Sequence, residues 1–184
     1  MTRNDEVMEA IRKSADDFNR LVKPIASIYL RSTFKTIEGV TDDEVTMALD
    51  RLSGIDAWCF HKHGIRGVGS RMQRTHKYFR TFTIRKSIAS GNETEYDKRK
   101  RAIEKGWLYP VLTVHSYATI DGSRLRGFAF AKTKDIIEAI DKGLGNPDVG
   151  RTGAGLCGQA TFEIIPWDTM KDAGYWIYEH RGVG

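Results

Sequence analysis

Side chains that can bind a polyanion are concentrated in residues 57–92, which we call the basic segment. It contains no Asp or Glu, and its Lys and Arg residues are Lys62, Arg66, Arg71, Arg74, Lys77, Arg80, Arg85 and Lys86. The aromatic residues between them are Trp58, Phe60, Tyr78, Phe79 and Phe82. The phosphates of a nucleic acid attract such cations, and its bases stack on such rings. The composition of the basic segment therefore predicts a surface that binds nucleic acid.

The position of the charge is more informative than its total. The chain of 184 residues has 29 Lys and Arg residues against 24 Asp and Glu residues, a formal charge of +5. Outside the basic segment the charge is −3, so the whole positive excess lies within it. A second cluster, Lys98–Arg101, extends the basic surface on a predicted helix. The expected contacts to nucleic acid are Arg66, Arg74, Lys77, Arg80, Arg85, Lys86, Lys98, Arg99, Lys100 and Arg101. The alternative is a solvated face whose counter-charges come from elsewhere in the chain.

Length and composition exclude several classes of protein. A chain of 184 residues, of which 40% are hydrophobic, can form one domain with a sizeable core. No apolar run is long enough to cross a bilayer, and the first residues show no signal-peptide pattern. Cys59 and Cys157 form no pattern typical of a disulfide framework or a structural zinc site. These features predict a cytoplasmic protein without a membrane partner.

The periodicity of the apolar residues predicts a mixed α/β domain over residues 41–184, with a helical segment packed on it over residues 1–40. Thr41 and Glu44 form a capping-box pattern that begins a helix ending near Gly54. Further helices are predicted from Asn92 to Gly106 and over residues 133–142. The predicted strands are residues 55–60, 66–73, 79–86, 108–118, 125–131, 160–165 and 175–178, with a Gly-rich loop at 143–158. The predicted fold class is therefore α/β, a single domain with a mixed sheet flanked by helices.

The order of elements over residues 41–118 resembles the αβββαβ core of the restriction-endonuclease-like nucleases, the PD-(D/E)XK superfamily. The hairpin, helix and C-terminal strands that follow would be additions to this core. The resemblance implies that Asp56, at the start of a core strand, is a metal ligand. It also implies that Gln73 is a second ligand, that Asp50 can add a third, and that Arg71 shares the strand face of Gln73. Mg²⁺ prefers such oxygen ligands, and a scissile phosphate needs a cation nearby.

The activity that this resemblance implies is Mg²⁺-dependent hydrolysis of DNA, with Asp56, Gln73 and Arg71 as the catalytic residues. The chain departs from the family pattern, because the second strand has no Glu and Thr75 stands where a Lys is expected. Arg71 cannot replace that Lys as a general base at ordinary pH. The same residues therefore also suit a degenerate relative that binds DNA without cutting it. A homodimer is compatible with either activity.

Two further interpretations stay open. Residues 126–133 resemble the RNP1 strand of RNA-recognition motifs, and the elements from Phe79 onward follow the order β-α-β-β-α-β of that domain. This second resemblance implies a non-catalytic protein that binds RNA or single-stranded DNA, with Phe128 and Phe130 stacking on bases. The other interpretation is an accessory protein whose basic face docks an acidic protein partner.

Overall fold

Two β-sheets and the helices around them make up the part of the chain that the computed structural model describes, residues 3–37, 53–88, 91–150 and 160–182. The helices are α1 (Arg3–Asp17), α2 (Lys23–Leu30), α3 (Glu95–Lys105), α4 (Thr133–Asp141) and α5 (Trp167–Asp172), with a π-helical turn at Phe18–Val22. The strands are β1 (Thr33–Thr36), β2 (Ala57–His61), β3 (Gly64–Arg74), β4 (Thr81–Ile88), β5 (Leu112–Ala118), β6 (Leu125–Lys132), β7 (Asn146–Gly150), β8 (Ala160–Pro166) and β9 (Ile177–Arg181). The predicted helix over residues 41–52 lies outside the described residues.

The larger sheet has six strands in the order β1-β2-β3-β5-β6-β9, and the smaller sheet has the order β4-β8-β7. Neighbouring strands pair antiparallel except β3 and β5, which run parallel. The larger sheet is therefore mixed, and helices flank it. This arrangement confirms the predicted α/β class, with the β5–β6 hairpin, α4 and the last strands added after the parallel pair.

The chain leaves the larger sheet after β3. A parallel return to the same sheet needs a crossover connection, and this crossover contains β4 and α3. On the way, β4 pairs with β8 in the smaller sheet. By the resemblance, the strand over residues 79–86 is expected to be the third strand of one sheet with residues 55–60 and 66–73. This expectation is wrong, because that strand belongs to the smaller sheet. The alternation of Phe82 and Ile84 with polar residues specifies a strand with one buried face, but not the sheet that it joins.

The N-terminal helices cover one face of the larger sheet. Phe18 and Val22 of the π-helical turn are buried there against Phe34 of β1 and Phe130 of β6. Pro24 lies in the first turn of α2, where the missing N–H costs no helical hydrogen bond. The helical segment therefore continues past Pro24. The short strand β1 follows α2 directly, and the sequence pattern does not indicate it.

The opposite face of the larger sheet packs against α4, α5 and the smaller sheet. This second core contains Phe82 and Ile84 from β4, Ile136 from α4, Ile165 from β8 and Trp167 from α5. Each of these side chains is almost completely buried. The smaller sheet is therefore fixed to the larger one by apolar contacts, although the two sheets share no strand.

Phe128 and Phe130 lie on the face of β6 that the N-terminal helices cover. Both side chains are completely buried in the first core. The base-stacking role expected for them is therefore wrong, because rings without solvent access cannot contact bases. An aromatic pair at positions i and i+2 of a strand shares one face, and here that face is the buried one.

Helix α3 begins at Glu95, three residues after the predicted start at Asn92, and ends at its C-cap Gly106, as predicted. Thr94 Oγ1 accepts a hydrogen bond from the Asp97 backbone N–H at 3.3 Å, and Asp97 Oδ2 accepts one from Thr94 N at 3.0 Å. At the other end, Gly106 has a φ of +65°, which closes the helix. This capping fixes the position of α3 in the crossover and therefore the direction of its basic residues.

Two elements near the C-terminus differ from the sequence prediction. β7 lies within the predicted Gly-rich loop at residues 143–158. Its five residues include Pro and Gly and show no strand pattern, so the sequence does not predict it. α5 begins directly after Pro166, which acts as the N-cap rather than as a simple break. The last strand, β9, begins at Ile177 rather than at Tyr175.

Arg80 holds the turn through which the chain enters the smaller sheet. Its φ is +55°, a conformation that costs a residue with a Cβ about 1–2 kcal/mol. Arg80 donates hydrogen bonds to Glu179 of β9 at 2.8 Å and to Asp168 of α5 at 2.6 Å. Lys171 also donates to Glu179, at 2.6 Å. The hydrogen bond from Arg80 holds the pKa of Glu179 well below its ordinary value.

We predict that Glu179→Gln lowers the free energy of unfolding by about 1.5–3 kcal/mol at neutral pH, because it removes a carboxylate that accepts hydrogen bonds from Arg80 and Lys171, while Asp168 stays as their second partner. The folded-state pKa of Glu179 lies below its unfolded value. The stabilisation is therefore complete above the ordinary glutamate pKa and is lost as the pH falls through the folded-state pKa. Urea unfolding of both proteins over this acid range measures the difference.

The matched control is Glu138→Gln, which removes the exposed ion pair between Glu138 and Lys142 on one turn of helix. Exposed pairs of this kind contribute less than about 1 kcal/mol. Equal losses for Glu179→Gln and Glu138→Gln would show that the Arg80 contacts do not hold the turn.

Candidate anion site at the junction of the two sheets

Strand β3 directs one row of residues toward the crossover and the smaller sheet. Gly69 and Arg71 belong to this row, because residues two apart on a strand share a face. In the parallel register with β5, Gly69 lies beside Thr113 and Arg71 lies beside His115. The edge of β4 is also close, since Arg71 Nη1 donates a hydrogen bond to the Thr83 backbone oxygen at 3.4 Å. Three elements, β3, β4 and β5, therefore meet at Arg71.

Arg99 of α3 lies against β3 in the space that Gly69 leaves. A Cβ atom at position 69 would overlap Arg99 Nη2. The Arg99 side chain is only 4% exposed; it forms an ion pair with Glu95 at 2.7 Å and donates to Thr113 Oγ1 at 3.1 Å. The Thr113 hydroxyl is in turn 2.9 Å from the hydroxyl of Thr133. The Nε atom of Arg99 is buried without a hydrogen-bond partner.

Arg71 and Arg85 both contact the ring of Phe162 on β8. Their guanidinium carbon atoms lie 5.2 and 5.6 Å from the centre of the ring, within the range of a cation–π interaction. Arg85 lies directly opposite Phe162 in the pairing of β4 with β8, and its buried Nε has no hydrogen-bond partner. Burial lowers the pKa of Arg71, and the nearby charge of Arg85 also lowers it. The Arg71 guanidinium group is nevertheless charged at neutral pH.

His115 lies beneath these arginines and is 1% exposed. Burial lowers the pKa of His115 well below its ordinary value, and the charges of Arg71 and Arg99 lower it further. The imidazole is therefore neutral at neutral pH. Its Nε2 atom has no hydrogen-bond partner among the described contacts. We call Arg71, Arg85, Arg99 and His115 the anion site.

Positive charge exceeds negative charge in the anion site. It contains three guanidinium groups. Glu95 forms an ion pair with Arg99 and its charge acts on Arg71, and the described residues include no ion pair of Arg71 or Arg85. Two positive charges are left, together with two buried Nε donors without partners. Buried cations destabilise a protein unless they are paired. The arrangement can therefore accept an anion that provides both negative charge and acceptor oxygens.

Ion pairs engage most of the cations that the sequence predicts as contacts to nucleic acid. The paired residues are Arg74, Arg80, Lys86, Arg99, Lys100 and Arg101. Several of their partners are distant in sequence, notably Asp17 for Arg74 and Glu163 for Lys86. Lys98 is half-buried on α3, and Arg66 and Lys77 are exposed. The basic segment therefore supplies structural ion pairs as well as the anion site.

The residues of the predicted magnesium site are not brought together in the described structure. Asp56 Oδ2 accepts a hydrogen bond from the Ser70 backbone N–H. Gln73 lies three residues after Ser70 on β3, a distance of about 10 Å along the strand. Asp50 lies outside the described residues. Among the residues that are described, no group of three His, Cys, Asp or Glu side chains could hold a metal. These donors alone do not fit a magnesium ion, and the magnesium site stays a prediction.

The sequence does not indicate several residues in and around the anion site. Glu95, His115 and Phe162 lie on different elements, and no spacing in the sequence connects Phe162 with Arg71. The available signal is Gly67 and Gly69 within a predicted strand, because glycine inside a strand indicates that another group approaches closely.

Comparison with known proteins gives no match to a family model, to a curated protein or to a solved structure. The resemblance to PD-(D/E)XK nucleases therefore stays an expectation from the sequence, and the function is argued from the chemistry of the site.

We predict that Gly69→Ala lowers the free energy of unfolding by about 1–3 kcal/mol, because the added methyl group displaces the Arg99 guanidinium from its position on β3. The matched control is the same substitution in an Arg99→Ala background, where the methyl group finds space and the cost is smaller. Urea unfolding of the four proteins gives the coupling energy. Equal costs in both backgrounds would mean that Gly69 does not provide the space for Arg99.

We predict that Asp56→Ala destabilises the protein by about 1–3 kcal/mol, because the Ser70 N–H loses its acceptor. Asp56→Asn keeps an acceptor oxygen and is expected to cost less. If Asp56 also binds magnesium, Mg²⁺ raises the Tm of the wild type and not that of Asp56→Asn. Thermal unfolding with and without Mg²⁺ separates the two roles, and an unchanged wild-type Tm would contradict the magnesium prediction.

Proposed function

We propose that this protein binds nucleic acid, with DNA favoured, by receiving phosphate groups in the anion site. The observation that carries the proposal is that Arg71 and Arg85 lie together at the ring of Phe162, near Arg99, and that among the described residues the one ion pair of these three arginines is that of Arg99 with Glu95. The preference for DNA rests on the resemblance to PD-(D/E)XK nucleases. The proposed ligand is of the class that the composition of the basic segment predicts, a polyanion. The proposal assigns its contacts to Arg71, Arg85 and Arg99.

Arginine suits this role for a geometric reason. Its planar guanidinium group presents several N–H donors in a fixed fork, which matches the oxygen atoms of a phosphate. The contacts of Arg71 and Arg85 with the face of Phe162 restrict their orientation. Restricting a side chain before binding lowers the entropy lost when the ligand binds.

An exposed aromatic residue near the end of α3 provides a second kind of contact. Trp107 is 53% exposed, and its ring lies 4.6 Å from Lys105 Nζ and 5.6 Å from the guanidinium carbon of Arg101. A ring flanked by cations suits a base and its adjoining phosphates.

Metal-dependent cleavage of the bound strand is a separate part of the proposal. It depends on the ligands that the resemblance implies, Asp56, Gln73 and Asp50. The cytoplasmic location expected from the sequence also belongs to the proposal, because a nucleic-acid ligand is found there. No helix within the described ranges is long and apolar enough to cross a membrane.

We predict that Arg85→Gln weakens binding of a DNA oligonucleotide about tenfold and reduces its salt dependence by about one phosphate contact. Fluorescence anisotropy over a range of salt concentrations measures both quantities. The matched control is Lys13→Gln, which removes one charge from an exposed ion pair on α1, across the larger sheet from the anion site.

Equal affinities for Arg85→Gln, Lys13→Gln and the wild type would contradict the role of the anion site. Affinity that does not fall with salt would contradict the nucleic-acid proposal itself, because phosphate neutralisation requires that dependence. Displacement of the DNA by an acidic peptide at the same charge concentration would favour the accessory-protein interpretation instead.

A further inference from the structure

The tip of the β2–β3 hairpin extends beyond the neighbouring strand of the larger sheet. β3 pairs with β2 from Gly64 onward, but it pairs with β5 only from Val68 onward. All residues from 62 to 66 are exposed. The end of the hairpin is therefore open to a ligand without any movement of the core.

An apolar pair lies on one face of this tip. Phe60 of β2 and Ile65 of β3 are directly opposite each other in the antiparallel register. Opposite residues share a face of the sheet, so their side chains form one surface. Phe60 is 39% exposed and Ile65 is 62% exposed, although both are large apolar residues. Burial in this chain does not account for them.

A second exposed apolar pair lies on the same side of β3. Gly67 is two residues after Ile65 and therefore points to the same face. A Cβ atom on Gly67 would lie 3.2 Å from the Tyr109 backbone oxygen, so the chain at Tyr109 passes over that face. Trp107 and Leu108 immediately precede Tyr109, and each is about half exposed.

We call these four residues the apolar patch: Phe60, Ile65, Trp107 and Leu108. Exposed apolar surface that is bordered by polar residues marks sites of interaction with other molecules. Each of its two pairs contains one aromatic ring and one aliphatic side chain. The patch therefore presents two separate rings to solvent on one side of the larger sheet.

The charges beside the hairpin pair are positive. Lys62 and Arg66 are exposed, and neither forms an ion pair within the described ranges of the chain. Partial burial lowers the pKa of His61, and the charges of His63, Arg66 and Lys62 lower it further. The groups whose charges act on His61 are thus all cationic. A ligand with negative charge complements this end of the hairpin.

The exposed rings favour an unpaired strand over a duplex. In a duplex each base is stacked between its neighbours, and inserting a side chain costs a few kcal/mol per base step. The bases of a single strand stack on aromatic side chains without that cost, while nearby cations contact the phosphates. Rings and cations that are both exposed are the groups that such a strand requires.

We propose that the apolar patch binds single-stranded nucleic acid in preference to a duplex, with unpaired bases on the rings of Phe60 and Trp107. Phosphates next to these bases contact Lys62 and Arg66 at the hairpin, and Lys105 beside Trp107. This inference rests on the proposed function and names the form of nucleic acid that the protein recognises. It has its own test, because no residue of the apolar patch belongs to the anion site.

The test compares a single-stranded oligonucleotide with a duplex of the same sequence, each carrying the same fluorophore at one end. The whole chain is titrated by anisotropy at fixed salt, first as the wild type and then as Phe60→Leu and Trp107→Leu. Leucine keeps an apolar side chain and removes the ring. Cosedimentation with vesicles that contain phosphatidylserine tests a membrane surface as the alternative ligand.

The matched control is Trp176→Leu. Trp176 is also exposed, but it precedes β9, which β5 and β6 separate from β3 in the larger sheet. Because all three substituted side chains are exposed, each variant is expected to be as stable as the wild type, which urea unfolding checks.

We expect the single strand to bind about tenfold more tightly than the duplex, a difference of about 1.4 kcal/mol. Phe60→Leu and Trp107→Leu are each expected to weaken single-strand binding about tenfold, which is typical of the loss of one stacked base. Both variants are expected to keep the duplex affinity of the wild type. Trp176→Leu is expected to preserve both affinities.

Equal, salt-dependent affinities for the single strand and the duplex would overturn this inference and leave the proposed function in place. Absence of binding by both at low salt would overturn the two together. A single-strand preference that persists in both Phe60→Leu and Trp107→Leu would place the bases outside the apolar patch and overturn its role. Vesicle binding that both variants abolish, without a single-strand preference, would assign the apolar patch to a membrane surface instead.

Discussion

The burial of positive charge at the junction of the two sheets is the constraint on which the candidate site depends. Arg99 reaches β3 only because position 69 has no side chain. Its guanidinium group then pairs with Glu95 one turn earlier on α3 and with Thr113 on β5. These contacts join the crossover helix to the central parallel pair of strands. The same contacts leave Arg99 Nε without a hydrogen-bond partner among the described residues.

Other cations of the basic segment are paired with carboxylates of the same chain. Arg74 is bonded to Asp17 of α1, and Arg80 to Glu179 of β9. Each pair connects elements that are distant in sequence, and the two pairs lie on opposite faces of the larger sheet. Such pairs bring their own counter-charges and need no ligand. Arg71 and Arg85 differ from them, because their main neighbour is the ring of Phe162 rather than a carboxylate.

Local signals in the sequence predict the helices and strands better than they predict which elements pack or pair with one another. The Thr94 capping box and Gly106 give the ends of α3, because both act within a few residues. The alternation in β4 gives its buried face but not its sheet, since the smaller sheet provides an equally apolar surface. Of the candidate site, the cations Arg71, Arg85 and Arg99 could be predicted from their types. Phe162 and His115 could not, because tertiary packing alone brings them to those arginines.

In the structure, Arg71 and Asp56 make contacts with different groups, although the resemblance assigns both to one metal site. By resemblance, Arg71 would assist a metal held by Asp56 and Gln73. The Asp56 carboxylate accepts the Ser70 N–H, whereas Arg71 extends to the edge of β4 and to Phe162. Arg71 therefore lies beside Arg85 and Arg99 and extends away from the carboxylate of Asp56. Its described neighbours are cations and an aromatic ring, and the proposed binding of an anion rests on this arrangement.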